Sequence, residues 1–300
     1  MNTTEDPIIS LEHVSRRYGA KVALGNITLS IPQGGVLGLV GANGAGKTTL
    51  IKHILGLLRA REGRVRVFGL DPVTQQVAVL QRIGYLSEDR DLPPWITVGE
   101  LLRYTRTFYP AWDPAYAERL RQQFQLPAPA RIRTLSKGEL AKAALLVTLA
   151  HHPDLLVLDE PSSGLDPLVR RELLEAIVRA IADEGRTVLF SSHLLDEVAR
   201  VSDRVAMLTG GRLVLQGELA RVMESHRRIV IRLARSMPAA QGLPGALSVS
   251  GGPEEWTVIC NGASAQFTRA LAQLDGTVLE ESGATFDEIF HAYATEPAVS

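Results

Sequence analysis

Cysteine is almost absent from the sequence, which holds a single one, Cys260, among 300 residues. One cysteine excludes an internal disulfide and a cysteine-based metal site, so a small secreted scaffold is excluded and a reducing compartment is expected. No apolar run approaches the ~20 residues that a helix needs to cross a bilayer. Residues 1–7 are polar and acidic rather than a signal peptide, so the sequence predicts a chain that is soluble by itself.

An excess of either charge is also missing, because 32 Lys and Arg face 33 Asp and Glu and leave a formal net charge of −1. This balance lacks the basic footprint that general nucleic-acid binding requires, so nucleic acid is not an expected partner. Short repeats and low-complexity tracts are absent as well. The length of 300 residues allows one large or two modest domains with a buried core.

What the sequence does contain is a glycine-rich stretch that fits the P-loop pattern G-x-x-x-x-G-K-[ST]. The apolar run Val36–Val40 predicts a strand before it, and a one-sided apolar pattern predicts a helix after it. The loop N–H groups and the helix start are then predicted to bind phosphate. Lys47 can reach the β- and γ-phosphates, and the Thr48 hydroxyl can hold Mg²⁺. A turn that binds nothing is the alternative, and both flanks argue against it. The loop residues predicted to bind nucleotide are Gly41, Ala42, Asn43, Gly44, Ala45, Gly46, Lys47, Thr48 and Thr49.

Two carboxylates, Asp159 and Glu160, follow the apolar run Leu155–Leu158, which is typical of a central parallel strand. Ligands bind at the carboxyl ends of such strands. Asp159 is therefore predicted to hold Mg²⁺, directly or through water, with a buried structural acid as the alternative. Glu160 is predicted to polarise the water that attacks the γ-phosphate. His193 follows the next apolar strand and is predicted to sense the γ-phosphate.

An aromatic residue, Tyr18, lies upstream of the P-loop at a turn that Gly19 marks. Its ring is predicted to stack on the adenine face of a bound nucleotide. An ordinary surface tyrosine is the alternative interpretation, and the P-loop favours stacking.

Residues from about 92 to 150 are predicted to form an inserted helical subdomain between strand-rich segments. Within it, Ser136 is a predicted N-cap with Glu139 as its capping-box partner. The pair His151-His152 ends this region. Adjacent residues at a helix end point apart, so a metal site there is improbable and capping of the helix C-terminus is expected instead.

Taken together, these motifs resemble the ATPase subunit of an ATP-binding cassette (ABC) transporter over about residues 7–222. In the order of that family they are the A-loop aromatic, the Walker A motif, the Q-loop, the signature, the Walker B motif, the D-loop and the H-loop. In this sequence they correspond to Tyr18, Gly41–Thr49, Glu88, Leu135–Glu139, Leu155–Glu160, Ser163–Asp166 and His193.

The resemblance implies an α/β fold: a RecA-like core, an antiparallel β subdomain and the inserted helical subdomain. It implies ATP and Mg²⁺ as cofactors. It also implies a second cassette stacked head to tail, giving a homodimer in the simplest case. The signature residues Ser136, Lys137, Gly138 and Glu139 of one chain then face the ATP of the other. A separate integral membrane permease would complete the transporter, with the cassette peripheral on the cytoplasmic side of the cell membrane.

Two motifs depart from the family pattern, the Q-loop and the signature. The Q-loop residue is usually glutamine, but here it is Glu88, which suits Mg²⁺ or water and occurs in export-type relatives. Lys137 and Glu139 replace the third and fifth residues of the usual Leu-Ser-Gly-Gly-Gln signature. A carboxylate at position 139 would repel a γ-phosphate unless its charge serves another group, and we expect Glu139 to cap its own helix.

Residues 223–300 are predicted to form a small C-terminal α+β appendage. Strands are predicted at Arg228–Leu233, Trp256–Cys260 and Thr277–Glu280, with helices at 263–274 and 285–293. A Pro/Gly-rich link is predicted from Pro238 to Pro253. The appendage resembles the C-terminal extensions of drug- or antibiotic-export cassettes. A sensing role and a passive packing or dimerisation role are both left open for it.

Three functions remain open at this point. The first is the ATPase of a transporter, with export favoured over import by Glu88 and the appendage. The second is a soluble ABC ATPase that acts on ribosomes or nucleic acid, although such proteins usually carry two cassettes or a coiled-coil insertion. The third is a regulatory NTPase, against which Glu160 and His193 argue because a switch needs no water-polarising pair.

Overall fold

The computed structural model describes residues 6–182, 186–233, 242–252, 254–262 and 265–294. The chain divides into two compact units with the boundary between Leu213 and Val214. The boundary predicted from the sequence, after residue 222, lies further along the chain. In the described residues, none of the helices is long and apolar enough to span a membrane.

The first unit begins with strands and then alternates strands with helices. Its elements are β1 (Ile9–Tyr18), β2 (Lys21–Ile31), β3 (Gly35–Val40), α1 (Lys47–Ile54), β4 (Glu62–Val67), α2 (Gln76–Leu80), β5 (Ile83–Leu86), α3 (Val98–Arg106), α4 (Pro114–Gln123), a 3₁₀ turn (Ile132–Thr134), α5 (Lys137–Leu149), β6 (Leu155–Asp159), α6 (Pro167–Ala182), β7 (Thr187–Ser192), α7 (Leu195–Val201) and β8 (Arg204–Thr209). Strand β9 (Arg212–Glu218) then leads into the second unit.

A six-stranded sheet in the order β5-β6-β7-β3-β8-β9 forms the centre of this architecture. Strands β5, β6, β7, β3 and β8 run parallel, and their side chains are almost all buried, as strands covered on both faces require. The register pairs Asp159 with Ser191 and Val40 with Ser192. The P-loop, the Asp159–Glu160 pair and His193 therefore follow neighbouring strands at one edge of the sheet.

A second sheet, β2-β1-β4, is antiparallel and packs its apolar side chains into the same core as β3 and α1. The helical segment between β5 and β6 begins each helix at a cap. Thr97 and Ser136 form capping boxes with Glu100 and Glu139, and Asp113 caps α4 ahead of a proline. The cap at Ser136 confirms the helix start predicted from the sequence.

The second unit contains α8 (Leu219–Ser225), β10 (His226–Arg232), β11 (Ala246–Gly251), β12 (Glu255–Asn261), α9 (Ala265–Gln273), β13 (Thr277–Gly283) and α10 (Phe286–Ala294). Its sheet has the order β11-β12-β10-β13 and is antiparallel. The predicted Pro/Gly-rich link is wrong over β11. That segment pairs with β12 and buries Val249, so ladder bonds and one apolar anchor outweigh its composition. Residues 238–241 and 253 of the predicted link lie outside the described residues.

The two histidines that follow α5, His151 and His152, serve packing. His151 is buried, donates from Nε2 to the Ile83 carbonyl (3.1 Å) and stacks on Tyr109 with ring centroids 3.9 Å apart. Burial lowers the pKa of His151 from 6.5 to about 4. His152 stacks instead on Tyr116. Neighbouring elements thus engage both rings, beyond the capping role expected from the sequence.

This burial predicts a pH dependence of stability. Between pH 6.5 and about 4, His151 is protonated in the unfolded chain but stays neutral in the folded chain. The contribution of neutral His151 to the free energy of unfolding is therefore fully present above pH 6.5 and is lost as the pH falls. Burial lowers the pKa of His53 as well, which adds a loss of the same sign. Thermal melting from pH 7 to pH 5 is expected to show a shallower decline for His151→Gln than for wild type. Parallel curves for the two proteins would contradict this assignment.

Candidate active site

An open cavity of about 430 Å³ lies over the P-loop. Its lining residues are Tyr18, Lys21, Ala23, Ala42, Asn43, Gly44, Gly46, Lys47, Thr48, Thr49, Glu88 and Glu160. Most of the residues predicted from the sequence to contact nucleotide are therefore brought together. Of the two other loop residues, Ala45 is buried, and the Gly41 carbonyl accepts a 2.6 Å hydrogen bond from Lys47 Nζ.

Glycine is required at the end of the loop. Gly46, the residue before α1, has φ +113°, which is a conformation that side chains rarely allow. A Cβ there would also lie 2.5 Å from the Ala23 carbonyl oxygen. This close approach to β2 lets α1 begin directly behind the loop, so that its first N–H groups face the cavity.

Glu160 lies between the P-loop and the strand that ends at Ser192. Its Oε2 accepts hydrogen bonds from His193 Nδ1 (2.7 Å) and from the His193 backbone N–H (3.3 Å). Its Oε1 is 3.1 Å from Lys47 Nζ, yet within the described residues no donor makes a well-aligned hydrogen bond to this atom. The carboxylate is thus held through one oxygen, while the other oxygen is directed to the P-loop side with its hydrogen-bonding capacity unused.

Asp159 is buried beside Glu160. Its Oδ1 accepts a 3.0 Å hydrogen bond from Ser191 Oγ, and it also interacts with the Thr48 hydroxyl. Burial raises the pKa of Asp159, and the nearby carboxylates of Glu160 and Glu88 raise it further. A divalent cation would offset this crowding of negative charge. Hydroxyl and carboxylate oxygens are also the ligands that Mg²⁺ prefers, together with water and phosphate. The donor set therefore fits Mg²⁺.

Tyr18 stands at the rim of the cavity with 47 % of its surface exposed. The Arg16 guanidinium lies 4.9 Å from the centre of its ring. Lys21 lines the same rim and was missed in the sequence interpretation. Its signal was a cation directly after the Tyr18–Gly19 turn.

The Q-loop candidate Glu88 lines the cavity and accepts a 3.1 Å hydrogen bond from Ser163 Oγ. This bond joins the turn after β5 to the segment that follows Glu160. Arg90 makes two further bonds to that segment, through Nη2 to the carbonyl oxygens of Pro161 (2.7 Å) and Ser163 (2.8 Å). The sequence interpretation did not single out Arg90.

Glu197 is a third residue that sequence reasoning missed. It is fully buried in α7 and accepts hydrogen bonds from Ser162 Oγ (2.7 Å) and Ser192 Oγ (3.1 Å). These two serines flank the catalytic candidates, since Ser162 follows Glu160 and Ser192 precedes His193. A carboxylate one turn after a strand-end histidine was the available signal.

The signature residues lie outside the described lining of the cavity. The Ser136 N–H donates to Glu139 Oε2 at 2.8 Å, and the Glu139 N–H donates to Ser136 Oγ at 3.2 Å. The first of these bonds is the main reason that the pKa of Glu139 is lowered. This confirms that Glu139 caps its own helix. Lys137 is the first residue of that helix, and Gly138 packs so closely on Val169 that a Cβ would lie 2.5 Å from its Cγ1.

Comparison with known proteins places this geometry in a family. Residues 24–163 match the model of the ABC transporter family. A daunorubicin resistance ATP-binding protein, DrrA3 of Streptomyces coeruleorubidus, is 32 % identical over 295 residues, covering 95 % of this chain and 92 % of that protein. An ABC transporter ATP-binding protein of Synechocystis sp. is 35 % identical over 204 residues, covering 66 % of this chain. The match spans 57 % of the Synechocystis protein's own length.

Solved structures agree. The structure of an ATP-binding subunit of an ABC transporter superposes with a TM-score of 0.66 at 30 % identity, covering 72 % of this chain and 92 % of the other. The chain belongs to the ABC transporter family as an ATP-binding subunit, and it is an ATPase. The predicted α/β cassette fold is thereby confirmed, and a soluble ABC ATPase acting on ribosomes or nucleic acid is not favoured.

Proposed function

We propose that Glu160 is the residue that polarises the attacking water during ATP hydrolysis. The observation that carries this proposal is the position of its carboxylate, held at Oε2 by His193 while Oε1 stays within 3.1 Å of Lys47 Nζ at the P-loop. A water at Oε1 would face the γ-phosphate and transfer its proton to that oxygen. His193 keeps the carboxylate oriented, and its own ring would contact the γ-phosphate.

The P-loop and α1 would hold the phosphates, with the loop N–H groups and Lys47 Nζ as donors. Lys47 now donates to the Gly41 carbonyl, an uncharged acceptor that a phosphate oxygen would replace. Thr48, Asp159 and Glu88 would hold Mg²⁺. When bound, Mg²⁺ neutralises charge on the β- and γ-phosphate oxygens. Tyr18 would stack on the adenine at the rim.

A second cassette would complete the site. Each signature segment, Ser136–Glu139, would lie against the nucleotide of the other chain, presenting the N-terminus of α5 to the γ-phosphate. The capping box supports this role, because the Glu139 carboxylate accepts a hydrogen bond from the Ser136 N–H at the start of its own helix. Lys137 adds a cation at the same place. A homodimer is the simplest assembly.

A separate membrane permease would dock on the helical subdomain. Three aromatic side chains there, Trp95, Tyr104 and Phe108, are exposed by 68, 57 and 55 %. The Tyr104 and Phe108 rings lie edge to face with their centroids 5.1 Å apart, and contiguous exposed apolar surface of this kind marks interaction sites. The chain would then be peripheral on the cytoplasmic side of the membrane. Export is the favoured direction, supported by Glu88 and by the similarity to a daunorubicin resistance protein over nearly the whole chain.

The test is affinity purification of tagged Glu160→Gln protein with MgATP from gently solubilised cells. A polytopic membrane protein in stoichiometric amount is expected. The double variant Trp95→Ser/Phe108→Ser is expected to lose that chain. Leu57→Ser, which changes an apolar residue 55 % exposed elsewhere, is expected to retain it. Recovery of ribosomes or nucleic acid without a membrane chain would refute the transporter assignment.

A further inference from the structure

The segment that follows Glu160 is tethered to the turn after β5. The backbone N–H of Arg90 donates to the Ser87 carbonyl (3.2 Å), which closes a four-residue turn. From this turn Arg90 reaches the Pro161 and Ser163 carbonyls, and Glu88 accepts from Ser163 Oγ. The side chains of Glu88 and Arg90, which belong to one turn, therefore both bind the segment 161–163.

Arg90 contacts this segment only through backbone acceptors in the two hydrogen bonds described above. Because both acceptors are carbonyl oxygens, the bonds depend on the position of the main chain and not on the side chains of the segment. Burial lowers the pKa of Arg90, with Glu88 acting in the opposite direction. A half-buried guanidinium loses hydration, which good hydrogen bonds must replace. The backbone of Arg90 is left-handed, with φ +50°. Non-glycine residues hold that conformation only where the surrounding contacts impose it.

The segment 161–163 follows Glu160 directly in the chain. The Ser163 N–H donates to the Glu160 carbonyl (3.1 Å), and Glu160 itself is left-handed at φ +49°. Residues 160–163 thus form a tight turn, and a displacement of Ser163 must move Glu160. Misplacing a catalytic group by about 1 Å can cost on the order of a hundredfold in rate.

We infer that Arg90 is a positioning residue that sets the location of Glu160 through its two hydrogen bonds to the Pro161 and Ser163 carbonyls. The inference rests on the catalytic role proposed for Glu160.

The experiment compares Arg90→Met and Arg90→Lys in the full chain. Arg90→Met keeps the length of the side chain but cannot donate, so kcat for MgATP is expected to fall tenfold to a hundredfold. KM is expected to stay within about twofold, because the residues that contact nucleotide are unchanged. Arg90→Lys keeps a donor and is expected to recover part of kcat. The control is Arg82→Met, which removes an exposed ion pair with Asp154 at the start of β5 and should behave as wild type.

The outcomes separate this inference from the proposed function. Wild-type kcat in Arg90→Met, alongside an inactive Glu160→Gln, overturns the role of Arg90 and leaves Glu160 in place. Near-normal turnover in Glu160→Gln overturns the proposed function itself. If Arg90→Met melts at a lower temperature, Arg90→Lys decides. A Lys variant with wild-type melting and a selectively reduced kcat supports positioning, and one with wild-type kcat and KM refutes it.

Discussion

Replacing Glu160 by glutamine is expected to leave MgATP bound while hydrolysis slows by about 10²–10⁴-fold, the usual contribution of a positioned general base. Glutamine preserves the shape of the side chain and an oxygen that can accept from His193 Nδ1, so the local structure should persist. What it removes is the negative charge that accepts a proton from water. Single-turnover hydrolysis and equilibrium nucleotide binding measure the two effects separately.

The matched control for this variant is Glu175→Gln. Glu175 carries an exposed ion pair with Arg171 on α6, a contact of little energetic value. The Glu175→Gln variant should hydrolyse ATP at the wild-type rate. Turnover in Glu160→Gln within a few-fold of wild type would eliminate Glu160 as the base and direct attention to His193.

Substitution of Lys47 by alanine is expected to weaken MgATP binding by about tenfold to a hundredfold. Hydrogen bonds to charged groups contribute on the order of 1.5–3 kcal/mol, and the lysine is the buried cation next to the loop. The substitution also removes the cation that lies 3.1 Å from Glu160 Oε1, so the ion pair with Glu160 is lost together with the phosphate contact. Titration with a fluorescent nucleotide measures the affinity.

Lys52→Ala provides the comparison for Lys47→Ala, since Lys52 lies on the same helix but is exposed. Its affinity for MgATP should match wild type. Equal affinities for Lys47→Ala and wild type would mean that the loop N–H groups alone hold the phosphates.

The sequence predicted the catalytic edge of the sheet because three independent patterns ended there. The P-loop, the Asp159–Glu160 pair and His193 each follow an apolar run, and parallel strands bring such ends together. Capping boxes were also predictable, since Ser136 and Glu139 are three residues apart and need no tertiary partner.

The contacts that sequence reasoning missed connect residues far apart in the chain. Arg90 donates to the carbonyls of Pro161 and Ser163. Every residue has a backbone carbonyl, so the sequence does not indicate which of them accepts a hydrogen bond. Glu197 meets Ser162 only after β6 and β7 pair. Strand β11 was missed because its stability comes from its ladder with β12, while its own composition favours turns.

The left-handed backbone at Glu160 has a consequence for how this chain can change over evolutionary time. At φ +49° a glutamate is held at a cost of about 1–2 kcal/mol, which glycine would avoid and asparagine would reduce. Replacing the residue proposed as the base by either one would relieve backbone strain. Selection for folding stability alone would therefore favour a cassette that binds ATP and does not cleave it. With Glu160 in the role proposed for it, folding stability and turnover are opposed at a single backbone torsion.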